Sequence, residues 1–267
     1  MRFKFDHDYH IHSHLSLCSS NPGQTNERIL QYAKENNLQT ICLTNHYWDS
    51  AVENEYHRFY TPQNYDRLVQ ALPLPQDEKV RFLFGCEGEM RLDGTLGIPE
   101  SRFDDFAWIL VPLTHLHWYD FTITKEDAAT VEGRVKTWLW RLETVLNKDL
   151  PFHKIGLAHL ANTAICRSSR QELLATLRAL PETELGRLFT KVAQKGCGVE
   201  LNSYDMRFSD EEEKDVLRMF RIAKECGCKF YLGSDIHHPE IFAEVPAIFD
   251  RAIRLLDLKE SDKFVLP

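Results

Sequence analysis

The chain has 267 residues, and its 40 acidic against 32 basic side chains give a formal net charge of −8, which argues against a general nucleic-acid binder, because phosphate backbones demand a basic footprint. A hydrophobic fraction of 43% and a charged fraction of 27% are ordinary for a soluble globular protein, and with no visible internal boundary the length suits one α/β domain over residues 1–267. No stretch approaches the ~18 consecutive apolar residues of a membrane span, and the opening MRFKFDHDYH has no apolar run after its basic residues, so neither a membrane partner nor a signal peptide is expected. The seven cysteines are odd in number and scattered, which favours a reducing cytoplasm over a disulfide framework.

In chain order, residues 5–11 read as a first strand, followed by a Ser/Asn/Pro/Gly loop (Ser19, Ser20, Asn21, Pro22, Gly23) and a helix over 26–36 capped by Thr25. A β-branched strand covers 39–44, and a helical segment over 62–72 ends at Pro73 and Pro75. Residues 80–86 and the fully apolar 106–112 read as strands, the latter as a parallel sheet covered on both faces requires. One long helix is expected over 125–147, with Val131, Val135, Trp138, Leu142 and Leu146 on one face. Strands over 155–158, 197–201 and 230–233 alternate with helices over 181–195, 210–226 and 240–256. Strand–helix alternation argues for a parallel sheet, closed or nearly closed, of the (β/α) barrel type, a TIM-like barrel of seven strands. The charge run 209–215 reads as a solvated helix start, and Cys226-Gly227-Cys228 as packing, being spaced too tightly for a zinc pair.

The strand ends carry the chemistry. In order they present His10 and His12, His46, Glu87, His115 with His117 nearby, His159, Asn202, and Asp235 with His237. One histidine at a strand end carries no message, but seven successive ends bearing metal-binding side chains predict a pocket for a metal cluster at the C-terminal ends of the strands. On a strand, side chains at i and i+2 share a face, so His10 and His12 reach one ion while Ile11 turns into packing. Asp235 and His237 have the same spacing, and His238 should face away from them. A carboxylate has two oxygens and bridges two cations, as two-metal hydrolases require. Glu87 and Glu89 share strand parity, so spacing leaves open which of them does so, just as it leaves open His115 against His117. Arg167 and Arg170, just after the His159 strand, are candidate phosphate clamps because the guanidinium is forked, or ordinary arginines at a helix start. Trp118 and Tyr119 stand ready to stack on a substrate ring or to pack.

The motifs DYHIHSHLS, LTNH, GCE, LTHLH, AHLAN and GSDIHH resemble those of the polymerase-and-histidinol-phosphatase (PHP) family of metal-dependent phosphoesterases, and the resemblance runs from Asp8 to about Pro239. It implies a distorted seven-stranded (β/α) barrel with two or three Zn, Mn or Fe ions. By that resemblance His10, His12, Glu87 and Asp235 hold a first ion, Glu87, His115 and His159 a second, and His46 and His237 contribute to a third. The Gly-x-Glu motif selects Glu87 over Glu89. Two positions depart from the family pattern: Thr44-Asn45-His46 stands where Thr-Asp-His is usual, and Cys18 occupies the place, eight residues after His10, of a further third-ion ligand.

The expected reaction is hydrolysis of a small phosphorylated metabolite, histidinol-phosphate-like or nucleotide-like, by water shared between two ions, with Glu87, His46, Asp235 and His237 at the reacting centre. A phosphodiesterase or exonuclease of the same family is the alternative, against which the net charge of −8 counts. A metal-dependent amidohydrolase ranks lower, because the fourth strand offers histidine rather than a bridging lysine. The leaving-group pocket is expected from loops 47–61 and 89–104.

Overall fold

The computed structural model describes residues 1–19, 21–54 and 57–267; Ser20 of the first loop, and Glu55 and Tyr56 of the 47–61 loop, lie outside the described residues. Parallel strands alternate with helices, as the apolar periodicity predicts. The order is β1 (His7–Ile11), α1 (Asn26–Glu35), β2 (Thr40–Leu43), β3 (His46–Tyr47), α2 (Tyr65–Leu68), β4 (Arg81–Phe84), β5 (Cys86–Gly88), β6 (Ile109–Pro112), α3 (Lys125–Ala128), α4 (Val131–Asn147), β7 (Ile155–Ala158), α5 (Arg170–Ala179), α6 (Glu182–Lys195), β8 (Gly198–Asn202), α7 (Glu213–Glu225), β9 (Lys229–Gly233) and α8 (Val245–Leu255).

The ladders form two parallel sheets, β1-β2-β4 and β3-β5-β6-β7-β8-β9, rather than one uninterrupted ring. They abut along two seams. At one, the run 80–86, expected as a single strand, divides at Gly85: its N–H donates to Leu43 O at 2.8 Å while Cys86 N–H donates to Trp108 O at 3.0 Å, so the chain changes partner. Only glycine fits there, since a Cβ would lie 2.5 Å from Trp108 O and 2.7 Å from Cys42 Sγ. At the other seam β1 runs beside the exit of β9, with Asp235 N–H to His10 O at 2.6 Å and His12 N–H to Ile236 O at 3.1 Å. The wall is barrel-like, and Tyr9, Cys42, Trp108, Leu110, Tyr231, Phe264 and Leu266 form a buried cluster of their own, separate from the main core that packs strands against helices. The β1 register slips between Asp8 and Ile11; Tyr9 joins that separate cluster, whereas Ile11 joins the main core.

Several expectations need correction. The helix over 125–147 is two helices, because Thr130 adopts an extended conformation and its Oγ1 accepts from Gly133 N–H at 3.0 Å, starting α4 afresh. A Cβ on Gly133 would overlap the Asp127 backbone at 2.2 Å, so the tight corner depends on glycine. Helix α5 lies between the His159 strand and α6 and begins at Arg170, the helix-start alternative for that arginine. The segment 62–72 becomes helical only at Tyr65, capped by Asn64, and ends in a 3-10 turn, Val69–Ala71. The last helix is preceded by a separate 3-10 turn, Pro239–Glu244. All seven cysteines are free, and Cys228 is buried with its Sγ 3.2 Å from Phe189 O. No helix among the described residues is long and apolar enough to cross a membrane.

Candidate functional site

The strand ends converge on one buried centre. His10 Nε2 and His12 Nε2 lie 3.0 Å apart, and each approaches both Asp235 Oδ1, at 3.3 and 3.2 Å, and Glu87 Oε2, at 3.6 and 3.4 Å. Nitrogen and oxygen ligands each about 2.0 Å from one tetrahedral zinc ion stand roughly 3.3 Å apart, which is the range of these separations. Glu87 Oε1 faces the other way, 2.8 Å from His159 Nε2 and 4.0 Å from His115 Nε2. An outer group gathers His12, Cys18, His46 and His237, whose donor atoms all lie within 4.8 Å of one another.

The donors are aimed by their other ring nitrogen. His10 Nδ1–H donates to Glu200 Oε1 at 2.7 Å, His115 Nδ1–H to Glu89 Oε2 at 2.7 Å, and His237 Nδ1–H to the Asp235 carbonyl at 2.7 Å. His12 Nδ1 sits 2.9 Å from Ser16 Oγ, which itself donates to Asn45 Oδ1. Each contact leaves Nε2 to the centre. The backbone contributes as well. His159 (φ 34) and Asp235 (φ 56) occupy the left-handed region, which costs on the order of 1–3 kcal/mol each and clusters at functional sites. The His159 N–H donates to Glu200 Oε2 at 2.6 Å, which holds that turn in place.

Charge balance explains why the donor set suits a cation. Burial pushes the Glu87 carboxyl up, but His46 and His10 outweigh it and hold Glu87 well below the usual range. Burial likewise depresses His10, yet Glu200, Asp235 and Glu87 hold its imidazole well above the usual value. His46 is raised against the same burial by Glu87 and then Cys18, and His159 by Glu87. His12, buried and beside His237, is driven well below. Protons on histidine thus do the neutralising that a divalent ion does with fewer charges in the same volume. The polar atoms left over fit this reading: Glu87 Oε2 and His46 Nδ1 are buried, 2.8 Å apart, and neither makes a hydrogen bond of acceptable geometry. Two unpartnered donors facing one point are the arrangement expected of ligands to an ion.

The structure separates candidates that spacing left open. Glu87 faces five histidines. Glu89 instead binds Arg141 Nη2 at 2.5 Å, Tyr60 Oη at 2.9 Å and His115 Nδ1, and is held at about 2 despite burial, by Arg141 and then His115. His115 belongs to the group with Glu87 and His159, whereas His117 stands on the wall of the cleft, its Nδ1 buried without a partner. Asn202 Nδ2 donates to Asp235 Oδ2 at 3.3 Å and to Glu200 Oε2 at 3.2 Å, which makes it a brace. Asn45, at the departure from Thr-Asp-His, accepts from Ser13 N–H at 2.8 Å and so ties β2 to the loop after β1.

The structure revises one expectation and decides one open alternative. His238 does not face away but lines the cleft, because the chain leaves β9 through the turn at Asp235. Arg170 does not reach the cleft: its guanidinium forks onto Glu212 at 2.9 and 2.8 Å. Arg167 does line the cleft, which has a volume of about 410 Å³, and it has no hydrogen-bonded or ion-paired partner among the described residues. The wall above the donors is aromatic, with Phe59 and Trp118 stacked at 5.1 Å.

Sequence reasoning missed Glu200. It is fully buried in the apolar run GVELN and binds both His10 and the His159 backbone. The one available signal was a carboxylate inside an otherwise apolar strand, since such a group is almost never buried without partners.

No protein-family model matches this sequence, and no curated protein matches it. Among solved structures, the chain is similar to a histidinol phosphate phosphatase from Lactococcus lactis subsp. lactis Il1403, in complex with zinc, L-histidinol and phosphate. The likeness has a TM-score of 0.67, spans 97% of this chain and 98% of that one, and at 16% identity establishes a common fold.

Proposed function

We propose that this chain is a metal-dependent phosphoesterase of the PHP type, a single hydrolase domain over residues 1–267 acting as a phosphomonoesterase on a small phosphorylated metabolite. The observation that carries the reading is Glu87, whose two oxygens address two different donor groups, as a carboxylate shared between two cations must. In this reading His10, His12, Glu87 and Asp235 hold one ion, Glu87, His115 and His159 a second, and His46 and His237 take part in an outer one. The zinc-bearing structural neighbour and the imidazole-rich donor set support zinc, with Mn and Fe as alternatives. Bound divalent ions would supply Lewis acidity toward a phosphoryl oxygen and toward water.

The protein's own groups do the rest. Glu200 and Glu89 fix the orientations of His10 and His115. Where the outer position carries no ion, His46 and His237, which line the cleft, are free to hold phosphoryl oxygens or pass a proton to the leaving oxygen. Arg167, without an ion-pair partner among the described residues, clamps a phosphate oxygen. Phe59 and Trp118 offer a flat ring a stacking surface. Among the described residues lining the cleft the sole carboxylate is Asp235, which belongs to the donor cluster, so a cationic leaving group finds no free counter-charge. This favours a nucleotide-like over a histidinol-like leaving group. The test is elemental analysis of protein purified without added metal, beside a panel of phosphate mono- and diesters. Two or more ions per chain with monoester turnover support the proposal. Turnover of diesters alone moves the assignment to a phosphodiesterase, and an absence of bound metal and of turnover after Zn or Mn is supplied refutes it.

A further inference from the structure

The three donor groups are not chemically alike. The two inner groups offer nitrogen and oxygen alone, from His10, His12, Glu87, His115, His159 and Asp235. The outer group contains a sulfur, Cys18, the single exposed cysteine of the seven. Because His12 Nε2 already faces His10 and Asp235, the donors left to a separate outer ion are Cys18, His46 and His237.

The thiol is held in place and is no stray surface cysteine. On one side Leu17 N–H donates to Gln63 Oε1 at 3.0 Å. On the other, Ser19 Oγ donates to the His237 carbonyl at 2.6 Å and Ser19 N–H to Ser16 O at 2.9 Å. Ser16 in turn touches His12 Nδ1 and Asn45. The loop that carries Cys18 is therefore laced to the same turns that carry His12 and His237. His46 supplies a second, independent sign of a ligand: its buried Nδ1 makes no hydrogen bond, facing Glu87 Oε2 at 2.8 Å, and a nitrogen of the same ring stands within 4.8 Å of the Cys18 thiol.

We infer that the outer position is a sulfur-ligated site, built from Cys18, His46 and His237, that takes a thiophilic ion of the zinc class and discriminates against manganese and magnesium. Thiolate is a soft ligand that suits zinc, whereas hard ions prefer carboxylate and carbonyl oxygen. The inner groups, with two carboxylates among their donors, lack that bias. The chain would thus hold two kinds of ion site a few ångströms apart, with the selective one nearest the solvent. The inference rests on the metal-binding part of the proposed function and makes no use of phosphate-ester turnover.

Cobalt(II) is the probe, because thiolate coordination gives it a sulfur-to-metal charge-transfer absorption that nitrogen and oxygen ligands lack. Metal-stripped full-length protein is titrated with cobalt, beside Cys18→Ser and Cys18→Asp. The wild type should develop the sulfur band as the outer position fills. Both variants should lack it while still binding cobalt at the inner groups, and one equivalent should bind at least roughly 10–100-fold more weakly in Cys18→Ser, no less than the loss of an outer partner costs a metal site. In competition, wild type should retain one zinc against excess manganese, and Cys18→Asp should exchange it. Cobalt binding without a sulfur band, or Cys18→Ser matching wild type in band and affinity, overturns this inference alone. No cobalt binding at all overturns it together with the proposed function.

Discussion

Glu200→Gln isolates the contribution of a residue that touches neither the cleft nor the bridging carboxylate. The carboxylate serves three donors: His10 Nδ1–H through Oε1, and His159 N–H and Asn202 Nδ2 through Oε2. Glutamine has the same shape but one acceptor oxygen. If that oxygen serves His159 and Asn202, the amide NH2 faces His10 Nδ1, and His10 must turn its proton onto Nε2, toward His12, Glu87 and Asp235. If the amide flips, the His159 N–H loses its acceptor at a backbone already in the left-handed region. Either outcome leaves a buried group mispaired, at about 1–3 kcal/mol. For metal binding the expected loss is roughly 10–100-fold, or about 1.4–2.8 kcal/mol. The assay is chelator competition for zinc. Affinity should fall by that factor and kcat should fall with it, while KM for a phosphate ester holds, since Glu200 does not line the cleft. Gly233→Ala should reproduce the effect, because a Cβ there would stand 1.9 Å from Glu200 Oε1 and 2.7 Å from His10 Cβ. The two changes act on one contact, so the double variant should lose less than the sum of the singles. Zinc affinity of Glu200→Gln within twofold of wild type would refute this account of how His10 is oriented.

Glu87→Ala should lose both metal content and hydrolysis; full metal retention, measured by elemental analysis, would remove the bridging assignment. Chelation should lower the thermal midpoint, because an ion present at 100 times its Kd stabilises the folded state by about 2.7 kcal/mol, and an unchanged melting curve would mean that these donors bind nothing. Trp118→Ala should raise KM severalfold for esters with aromatic leaving groups and leave metal content intact, and equal KM values would remove the stacking role. Burial pushes the Asp205 carboxyl from 3.8 up to about 7, so the folded state favours its protonated form. That contribution is complete below the unfolded value and disappears as pH rises through about 7. In metal-stripped protein, Asp205→Asn should therefore gain stability over wild type between about pH 4 and 7, by at most roughly 4 kcal/mol, as read from denaturant midpoints at each pH. A difference that does not vary with pH would show that Asp205 does not titrate there.

Much of the centre was legible in the sequence because the signals are local. Alternation puts His10 and Ile11 on opposite sides of β1, His12 just past the strand end returns to within 3.0 Å of His10, and the fully buried Ile11 lies in the main core. The ends of apolar runs marked where the chain leaves the sheet, and the structure brings His10, His12, His46, Glu87, His115, His159, Asp235 and His237 together there. Strand–helix alternation likewise predicted a parallel α/β architecture, whose strand order and pairing the ladders supply.

What local pattern left open was decided by contacts between residues far apart in the chain. Whether Glu87 or Glu89 faces the histidines depends on Arg141, 52 positions after Glu89 and on another element, which claims Glu89. Whether Arg170 reaches a phosphate depends on Glu212, 42 positions on. The division of one strand at Gly85 reflects a change of hydrogen-bonding partner, which no property of the segment itself encodes. Glu200 pairs with His10 across 190 positions, and a lone carboxylate in an apolar strand names no partner. Sequence alone determined which residue types stand at the strand ends, because side-chain alternation is a property of a single strand. Only the tertiary structure decided which oxygen meets which nitrogen, because that is set by register between strands and by the packing of helices behind them.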